Sequence, residues 1–249
     1  MSLPASILRL APLLITAGLA ALLWFMLVRA LCASEVRACF ERDPAARNLL
    51  EVVFTYPGLH AVLGYRIARA MERLAIPVLP RLLMVCVRWW TGIEIHPSAR
   101  IGRGLFIDHG MGVVIGETAV IGENVTLFQG VTLGGTGKER GKRHPTLGNN
   151  VVIGAGAKVL GNITVGHHSI IGANAVVVRD VPDYSTVVGV PGRVAKIKDR
   201  HFQGINLDHT HLPDPLAEQL ERLQHEIDAL ERHLKEQRAR PPGAHPHTP

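Results

Sequence analysis

Two histidines in the middle of the chain each follow a charged residue, and both are suited to proton transfer. His109 comes directly after Asp108 in the run Ile-Asp-His-Gly-Met-Gly. His144 comes directly after Arg143, near the end of a basic, glycine-rich stretch. Imidazole exchanges a proton readily near neutral pH and commonly serves as a general base. His109 and His144 are therefore the candidate bases of this sequence.

The stretch that carries His144 runs from Gly134 to Thr146 and differs in composition from its surroundings. It is polar, basic and rich in glycine, so it cannot continue an apolar core. Long excursions from a rigid scaffold commonly carry function. We therefore expect an extruded loop over residues 134–146 that presents His144 near a rigid face.

The elements that must position these histidines follow a six-residue repeat. An aliphatic residue recurs at every sixth position, with a two-residue slip after Ile107 and a longer interruption after Leu133. A period of six is too short for a helical repeat and fits a parallel β-helix, in which each hexad forms one flat side and one turn. The sequence therefore predicts a β-helix over residues 93–195 with these side chains stacked inside. They are Ile95, Ile101, Ile107, Ile115, Ile121, Leu127, Leu133, Leu147, Ile153, Val159, Val165, Ile171 and Val177.

Helical patterns flank the repeats on both sides. Apolar residues at helical spacing, punctuated by prolines, predict three short helices over residues 33–92. Asp43 is expected as a helix N-cap, with Pro44 at the first helical position. Residues 196–249 form a tail in which spaced leucines predict an amphipathic helix over 214–238. That helix either pairs with another chain as a short coiled coil or packs on the protein's own β-helix.

Residues 1–32 form an apolar N-terminal segment. Leu10 to Val28 is 19 residues without a charge, and as a helix it would be roughly 28 Å long, close to the ~30 Å core of a bilayer. By the positive-inside rule we expect the rest of the protein to be cytoplasmic, tethered to the membrane by residues 10–28. A buried or trimer-interface helix, or an upstream start codon, are the alternatives. Four arginines follow the run: Arg29, Arg37, Arg42 and Arg47.

Composition excludes several classes of protein. The 249 residues are 47% hydrophobic, which supports a packed core. The three cysteines, Cys32, Cys39 and Cys86, are odd in number and lack the spacing of a zinc site, so we expect a reducing compartment and no bound metal. The formal charge of +6 is spread along the chain, without a basic block beside interleaved aromatic residues. We therefore expect no nucleic-acid partner.

Two longer motifs accompany the Ile-Asp-His-Gly-Met-Gly run: Gln-Gly-Val-Thr-Leu-Gly-Gly-Thr-Gly at 129–137 and Lys-Arg-His-Pro-Thr-Leu-Gly at 142–148. Together they resemble the serine O-acetyltransferases of the hexapeptide-repeat transferase family, and the resemblance covers about Phe40 to Asn206. Only about 60 residues separate the apolar run from the repeats, which is similar to the short, bacterial-type subgroup. The resemblance implies a left-handed β-helix and transfer of acetyl from acetyl-CoA to the L-serine hydroxyl, giving O-acetyl-L-serine in cysteine biosynthesis without a bound cofactor. The matching stretches are residues 95–104, 107–122, 129–137, 142–148, 154–161 and 189–193.

The same resemblance implies roles for particular residues. His109 matches the general base, which a serine hydroxyl needs because it is a poor nucleophile near neutral pH. Glu94 matches the acid that orients this base, where several family members carry Asp. The predicted serine-binding groups are Asp43 and Asp108 for the ammonium, and Arg143 and His144 for the carboxylate.

Acetyl-CoA is expected along the β-helix, and the site is expected between chains. Family members place the acyl site between neighbouring chains of a trimer, so we expect a homotrimer that binds L-serine and acetyl-CoA. Members that dock on O-acetylserine sulfhydrylase use a C-terminal isoleucine, whereas this sequence ends in Pro249, so we do not expect that mode of docking. The predicted CoA contacts are Gly135, Ala155, Ala173 and Lys196.

Three other functions are compatible with a repeat of this kind. Another hexapeptide acetyltransferase would act on a sugar or antibiotic hydroxyl, but it would have no use for the amino-acid clamp of Asp43, Asp108 and Arg143. A γ-class carbonic anhydrase needs three histidines on one zinc ion, and the histidines here lack that family's spacing. A membrane-tethered scaffold without activity would not need the Asp-His and Arg-His pairs.

Overall fold

A computed structural model describes residues 5–137, 140–197 and 215–239, with side chains described for 12–137, 140–195 and 220–235. The chain divides into two units, residues 1–212 and 213–249. The described residues of the first unit form five helices followed by a coil of short strands. The second contains one described helix, α6 (Pro215–Ala239), where the sequence predicted a helix over 214–238.

Four helices, rather than the predicted three, lie between the N-terminal helix and the strands. The difference arises because Asn48 accepts a hydrogen bond from the Glu51 amide at 2.9 Å and starts a separate short helix. Pro57 then begins the next helix after a one-residue break at Tyr56. The helices of the first unit are α1 (Ala5–Leu31), α2 (Ala33–Arg42), α3 (Leu49–Thr55), α4 (Pro57–Arg73) and α5 (Leu79–Thr91).

The prediction that Asp43 is an N-cap is wrong. Asp43 is the C-cap residue of α2, and its Oδ1 accepts a hydrogen bond from the Ala45 amide at 2.8 Å in a local turn. Pro44 therefore lies in this turn and not in a helix. The N-cap of the following helix is Asn48. A short Asp-Pro pair is compatible with either end of a helix, and packing of α2 decides which one it occupies.

The repeats form a parallel β-helix, as predicted, and the coil has three flat faces. Each face is a sheet of parallel strands, apart from β15 at the end of face C, and the turns of the coil contribute strands to the faces in the order A, B, C. Face A holds β1 (Glu94–Ile95), β4 (Val114–Ile115), β7 (Thr132–Gly134), β10 (Lys158–Leu160) and β13 (Val176–Val177). Face B holds β2 (Arg100–Ile101), β5 (Val120–Ile121), β8 (Thr146–Leu147) and β11 (Thr164–Val165). Face C holds β3 (Phe106–Ile107), β6 (Thr126–Leu127), β9 (Val152–Ile153), β12 (Ile170–Ile171), β14 (Ser185–Val188) and β15 (Arg193–Ile197).

The aliphatic residues of the repeat stack inside the coil in three columns. On face A, Ile95 pairs with Ile115, which pairs in turn with Leu133. Equivalent columns run through Ile121 on face B and Leu127 on face C. Their burial supplies the hydrophobic stabilisation of the β-helix.

Both ends of the coil are covered. The N-terminal helices pack against the first turn, where the Tyr65 hydroxyl donates to the Ala99 carbonyl at 2.6 Å. At the other end β15 reverses direction and pairs antiparallel with β14. A solenoid needs such caps because its terminal turns would otherwise expose unpaired strand edges.

Candidate active site

His109 lies at a turn between faces C and A, directly after β3. Its backbone is left-handed, with φ of 56°, and its side chain is 73% exposed. Nε2 lies 3.9 Å from Oδ1 of Asp108, which is itself 26% exposed. Other turns of the coil have the same left-handed backbone, at Asn124, Asn150 and Asn174, so this conformation is a property of the repeat. The turn thus holds an exposed imidazole beside a carboxylate on a rigid scaffold.

Glu94 begins β1 on the outer surface of face A, next to the turn that carries His109. The Gly112 amide donates to the Gly92 carbonyl at 2.9 Å, which joins that turn to the residues before Glu94. The Glu94 carboxylate accepts a hydrogen bond from Arg88 of α5 at 2.8 Å. Among the described contacts no hydrogen bond joins Glu94 to His109. Sequence reasoning missed Arg88, because it lies on a separate helix.

Asp43 is held in place by its neighbours in the helical part. The Tyr56 hydroxyl donates to Oδ2 of Asp43 at 2.5 Å. Burial and this hydrogen bond to Asp43 raise the pKa of Tyr56 well above its usual range. Tyr56 therefore stays a protonated donor at neutral pH, and it orients the Asp43 carboxylate.

Two buried charges fasten α2, and hence Asp43, to the β-helix. Arg42 is buried, and its Nη1 donates to the carbonyls of Gly104 at 3.1 Å and Val125 at 3.2 Å. Glu35, also buried, accepts from the Gly104 amide at 2.9 Å and from Arg66 at 2.5 Å. Sequence reasoning missed both anchors, since nothing in the local pattern distinguishes a buried Arg from a solvated one.

Asp43 and Asp108 converge around the buried thiol of Cys39. Burial raises the pKa of Cys39 to about 12, and the negative charges of Asp43 and Asp108 add to this shift. The packing of α2 against β3 agrees with this, because Asp43 is the C-cap of α2 and Asp108 directly follows β3. The resulting acidic region lies beside the turn that carries His109.

Arg143 and His144 lie at a different edge of the coil, between faces A and B. Arg143 forms an ion pair with Glu117, and this ion pair lowers the pKa of Glu117. His144 is buried, with Nδ1 at 2.9 Å from Oγ1 of Thr118. Lys142 donates to the Thr118 carbonyl at 2.8 Å, and this hydrogen bond holds the extruded loop against the coil. Sequence reasoning missed Glu117 and Thr118, which occupy an ordinary turn of the repeat.

A cavity of about 360 Å³ opens in front of this pair. It lies on the outer surface of face A, where glycines take the place of larger side chains and leave room for a ligand. Its charged side chains are two arginines and two glutamates, and the Arg143 guanidinium beside His144 is the pair of donors that suits a carboxylate. Its charged and histidine lining consists of Arg81, Glu94, His96, Glu117, Arg143 and His144.

The predicted CoA contacts divide between the same two edges. Ala155 and Ala173 lie one coil apart between faces C and A, where the Asn174 amide donates to the Ala155 carbonyl at 2.8 Å. Gly135 follows β7 between faces A and B and lines the cavity. Lys196 falls in β15, and its side chain lies outside the described residues.

The candidate residues therefore form two groups on one chain. The first half-site, between faces C and A, has Asp108, His109, Ala155 and Ala173, with Asp43 near Asp108. The second half-site, between faces A and B, has Gly135, Arg143 and His144. Face A separates the two groups, and Glu94 lies on it. Among the described residues no group of three or more His, Cys, Asp or Glu side chains could hold a metal ion.

Comparison with known proteins identifies the family. Residues 144–179 match the model of the bacterial transferase hexapeptide (six repeats). A serine acetyltransferase from Staphylococcus xylosus is 58% identical over 194 residues, covering 78% of this chain and 89% of the relative. The chain belongs to the serine acetyltransferase family. The prediction of a left-handed parallel β-helix, which is the fold of this family, is confirmed.

Two solved structures of the family are similar to this chain and carry relevant ligands. Serine acetyltransferase from Neisseria gonorrhoeae in complex with serine has a TM-score of 0.64 and 42% identity, covering 67% of this chain and 68% of that one. Serine acetyltransferase from Brucella abortus in complex with coenzyme A has a TM-score of 0.66 and 42% identity, covering 68% of each chain.

Proposed function

We propose that this chain transfers the acetyl group of acetyl-CoA to the hydroxyl of L-serine, giving O-acetyl-L-serine and CoA. The observation that carries the proposal is His109, an exposed imidazole held at a rigid turn beside a carboxylate. A hydroxyl nucleophile needs such a base. The serine and coenzyme A complexes of the two relatives support the two substrates.

In the proposed reaction the serine hydroxyl gives its proton to His109 while its oxygen attacks the thioester carbonyl carbon. The carbon–sulfur bond then breaks, and the CoA thiolate takes the proton from His109. Asp43 and Asp108 bind the serine ammonium, and Glu94 orients the base. The carboxylate of serine binds to Arg143 and His144.

This assignment is tested by measuring free thiol released from acetyl-CoA in the presence of L-serine. We expect release that depends on serine and a product with the mass of O-acetylserine. Sugar and antibiotic hydroxyls are the matched comparison, because the alternative function is a hexapeptide acetyltransferase that acts on such a hydroxyl. Thiol release with such an acceptor, and none with serine, would contradict the proposal.

We further propose that each site forms between two chains of a homotrimer. The residues assigned to one serine molecule lie at opposite edges of face A. We therefore infer that one chain provides the base and a neighbouring chain provides the carboxylate-binding pair. In a three-fold arrangement with face A turned toward the axis, the first half-site of each chain meets the second half-site of the next. Closed cyclic symmetry makes every such contact equivalent.

The exposed side of α5 supports a neighbouring chain at face A. This helix lies beside β1, and its Arg81 and Arg88 contact His96 and Glu94. Its other side is apolar and exposed, and the side chain of Trp89 is 83% exposed. Exposed apolar surface of this kind marks interaction sites, and we assign it to the equivalent helix of a second copy. The stripe consists of Leu82, Val85, Cys86 and Trp89.

If the site forms between chains, co-expression of two variants that each lack one half of the site should restore activity. His109→Asn removes the base and Arg143→Ala removes the carboxylate contact, so at a serine concentration near the wild-type KM each variant alone should have only a small fraction of wild-type activity. When both are co-expressed in equal amounts, mixed trimers contain some sites in which both halves are native, and roughly a quarter of wild-type activity should return. Mixing the two variants after each has assembled is the control. No recovery on co-expression would place the whole site within one chain.

The N-terminal helix supports a proposal about location. Residues Pro12–Leu31 of α1 are long and apolar enough to cross a membrane, with a mean hydropathy of 2.0, and most of their side chains are exposed. Only the last turns pack on the protein, where the ring of Trp24 lies 5.4 Å from that of His60 and Val28 is buried. We propose that the exposed part spans the cytoplasmic membrane, with the β-helix on the cytoplasmic side.

The full chain should therefore sediment with membranes and resist extraction by high salt. A variant lacking residues 1–22 should be soluble and active, because it removes the exposed turns and keeps Trp24 and Val28. A variant lacking residues 1–32 is the comparison. It should be less stable because it removes Trp24 and so exposes the ring of His60. If the full chain stays in the soluble fraction without detergent, the membrane proposal fails.

A further inference from the structure

The side chain of Thr118 lies at the centre of the second half-site. Its Oγ1 is 3.0 Å from the amide nitrogen of Arg143 and 3.1 Å from that of His144. The same oxygen is 2.9 Å from Nδ1 of His144, and the Thr118 amide nitrogen is 3.2 Å from that Nδ1. One residue thus makes four hydrogen bonds to the two groups assigned to the serine carboxylate.

The chemistry of these donors determines where the protons lie. A backbone amide only donates, so Oγ1 accepts two hydrogen bonds, and both its lone pairs are used. Its own proton is then left for Nδ1 of His144. Nδ1 also accepts from the Thr118 amide, so Nδ1 carries no proton. A neutral imidazole with an unprotonated Nδ1 carries its proton on Nε2.

The surroundings of His144 also favour the neutral ring. Burial lowers the pKa of His144, the nearby charges of Arg143 and Lys142 lower it further, and His96 acts in the same direction. Glu117 acts in the opposite direction, but its carboxylate is engaged by Arg143. The described groups around the ring therefore include three that oppose protonation and one that favours it.

The ring is seated so that Nε2 lies against glycines. A Cβ atom at Gly116 would lie 2.0 Å from Nε2 of His144, and one at Gly135 would lie 3.1 Å from it. Any side chain at position 116 would therefore displace the ring. Both glycines and His144 line the cavity in front of Arg143.

We propose that Thr118 is a positioning residue that fixes His144 as a neutral Nε2–H donor and aligns it with Arg143 for one carboxylate ligand. Arg143 then supplies the positive charge, and His144 supplies an uncharged hydrogen bond. That the ligand is the serine carboxylate rests on the proposed function, whereas the tautomer of His144 does not.

The tautomer can be measured in the full-length protein labelled with ¹⁵N-histidine. Nitrogen chemical shifts separate a protonated ring nitrogen from an unprotonated one, and the His144→Gln variant assigns the signals. We expect His144 to carry its proton on Nε2 and none on Nδ1 at neutral pH, and to gain a second proton only at a lower pH than an ordinary histidine does. A protonated Nδ1 at neutral pH would overturn the proposal, whatever the enzyme acetylates.

The positioning role is tested by Thr118→Val, which keeps the shape of the side chain and removes the hydroxyl. The KM for serine should rise about 10- to 100-fold while the KM for acetyl-CoA changes little, because two amides and Nδ1 lose their partner. Thr118→Ser restores the hydroxyl and should restore serine binding. Thr164→Val, on the exposed side of face B, is the matched control and should leave both constants unchanged.

The pH profile separates this role from a purely structural one. With a neutral donor, the wild-type KM for serine does not rise as the pH increases through the range of an ordinary histidine. If His144 bound as a cation, deprotonation would weaken serine binding over that range. An increase of wild-type KM there, or equal effects of Thr118→Val on both substrates, would contradict the proposal.

Discussion

The His109→Asn variant should lose about 10²- to 10⁴-fold in kcat, because general-base catalysis contributes roughly that factor. Asparagine is the suitable replacement since the left-handed backbone at position 109 would strain alanine. The coil already carries Asn124, Asn150 and Asn174 at turns with φ of 56° to 57°. The substitution therefore removes the base and leaves the turn in place. Steady-state kinetics with serine and acetyl-CoA measure the effect.

His168→Asn is the matched control. His168 has the same left-handed backbone, with φ of 57°, and its ring stacks on Tyr184 at 4.8 Å, away from both half-sites. This variant should lose some stability and retain its kcat. If His109→Asn kept more than roughly a tenth of wild-type kcat, the base would be a different residue.

The Arg143→Lys variant should raise the KM for serine about 10- to 100-fold and leave that for acetyl-CoA nearly unchanged. Lysine keeps the charge but loses the planar fork that binds a carboxylate through two hydrogen bonds. A hydrogen bond to a charged group contributes about 1.5–3 kcal/mol, which corresponds to this change in affinity. Arg143 already orients its guanidinium on the Glu117 carboxylate, and lysine would hold that partner less well.

Arg140→Lys provides the comparison within the same loop. Arg140 is exposed and lies outside the cavity lining, so its replacement should alter neither KM. If Arg143→Lys changed both constants equally, Arg143 would order the loop in general and would not bind serine in particular.

The β-helix could be predicted from the sequence because its repeat is local. An aliphatic residue every six positions can stack only in a coil with six residues per side, and the buried columns through Ile115, Ile121 and Leu127 follow directly. The loop that carries Arg143 was predictable for the same reason, since a polar stretch cannot join these columns. The sequence also showed that the N-terminal helix is long and apolar enough to cross a bilayer.

The end at which Asp43 caps a helix depended on tertiary packing. An Asp-Pro pair suits either end, and the buried contacts of Arg42 and Glu35 with Gly104 place α2 so that Asp43 follows it. These contacts join residues more than sixty positions apart. No local pattern reports such a pairing, because a buried charge and a solvated one have the same sequence signature.

The sequence by itself determined the coil, its inward residues and the types of side chain available for acetyl transfer. Only the tertiary structure decided that His109 and Arg143 lie at opposite edges of face A, and that Thr118 and Glu117 hold the His144–Arg143 pair. The physical reason is that a repeat specifies which residues point inward. Which outward-pointing side chains lie close together depends on how many turns of the coil separate them. It also depends on where the loop between Gly135 and Pro145 packs back on the coil.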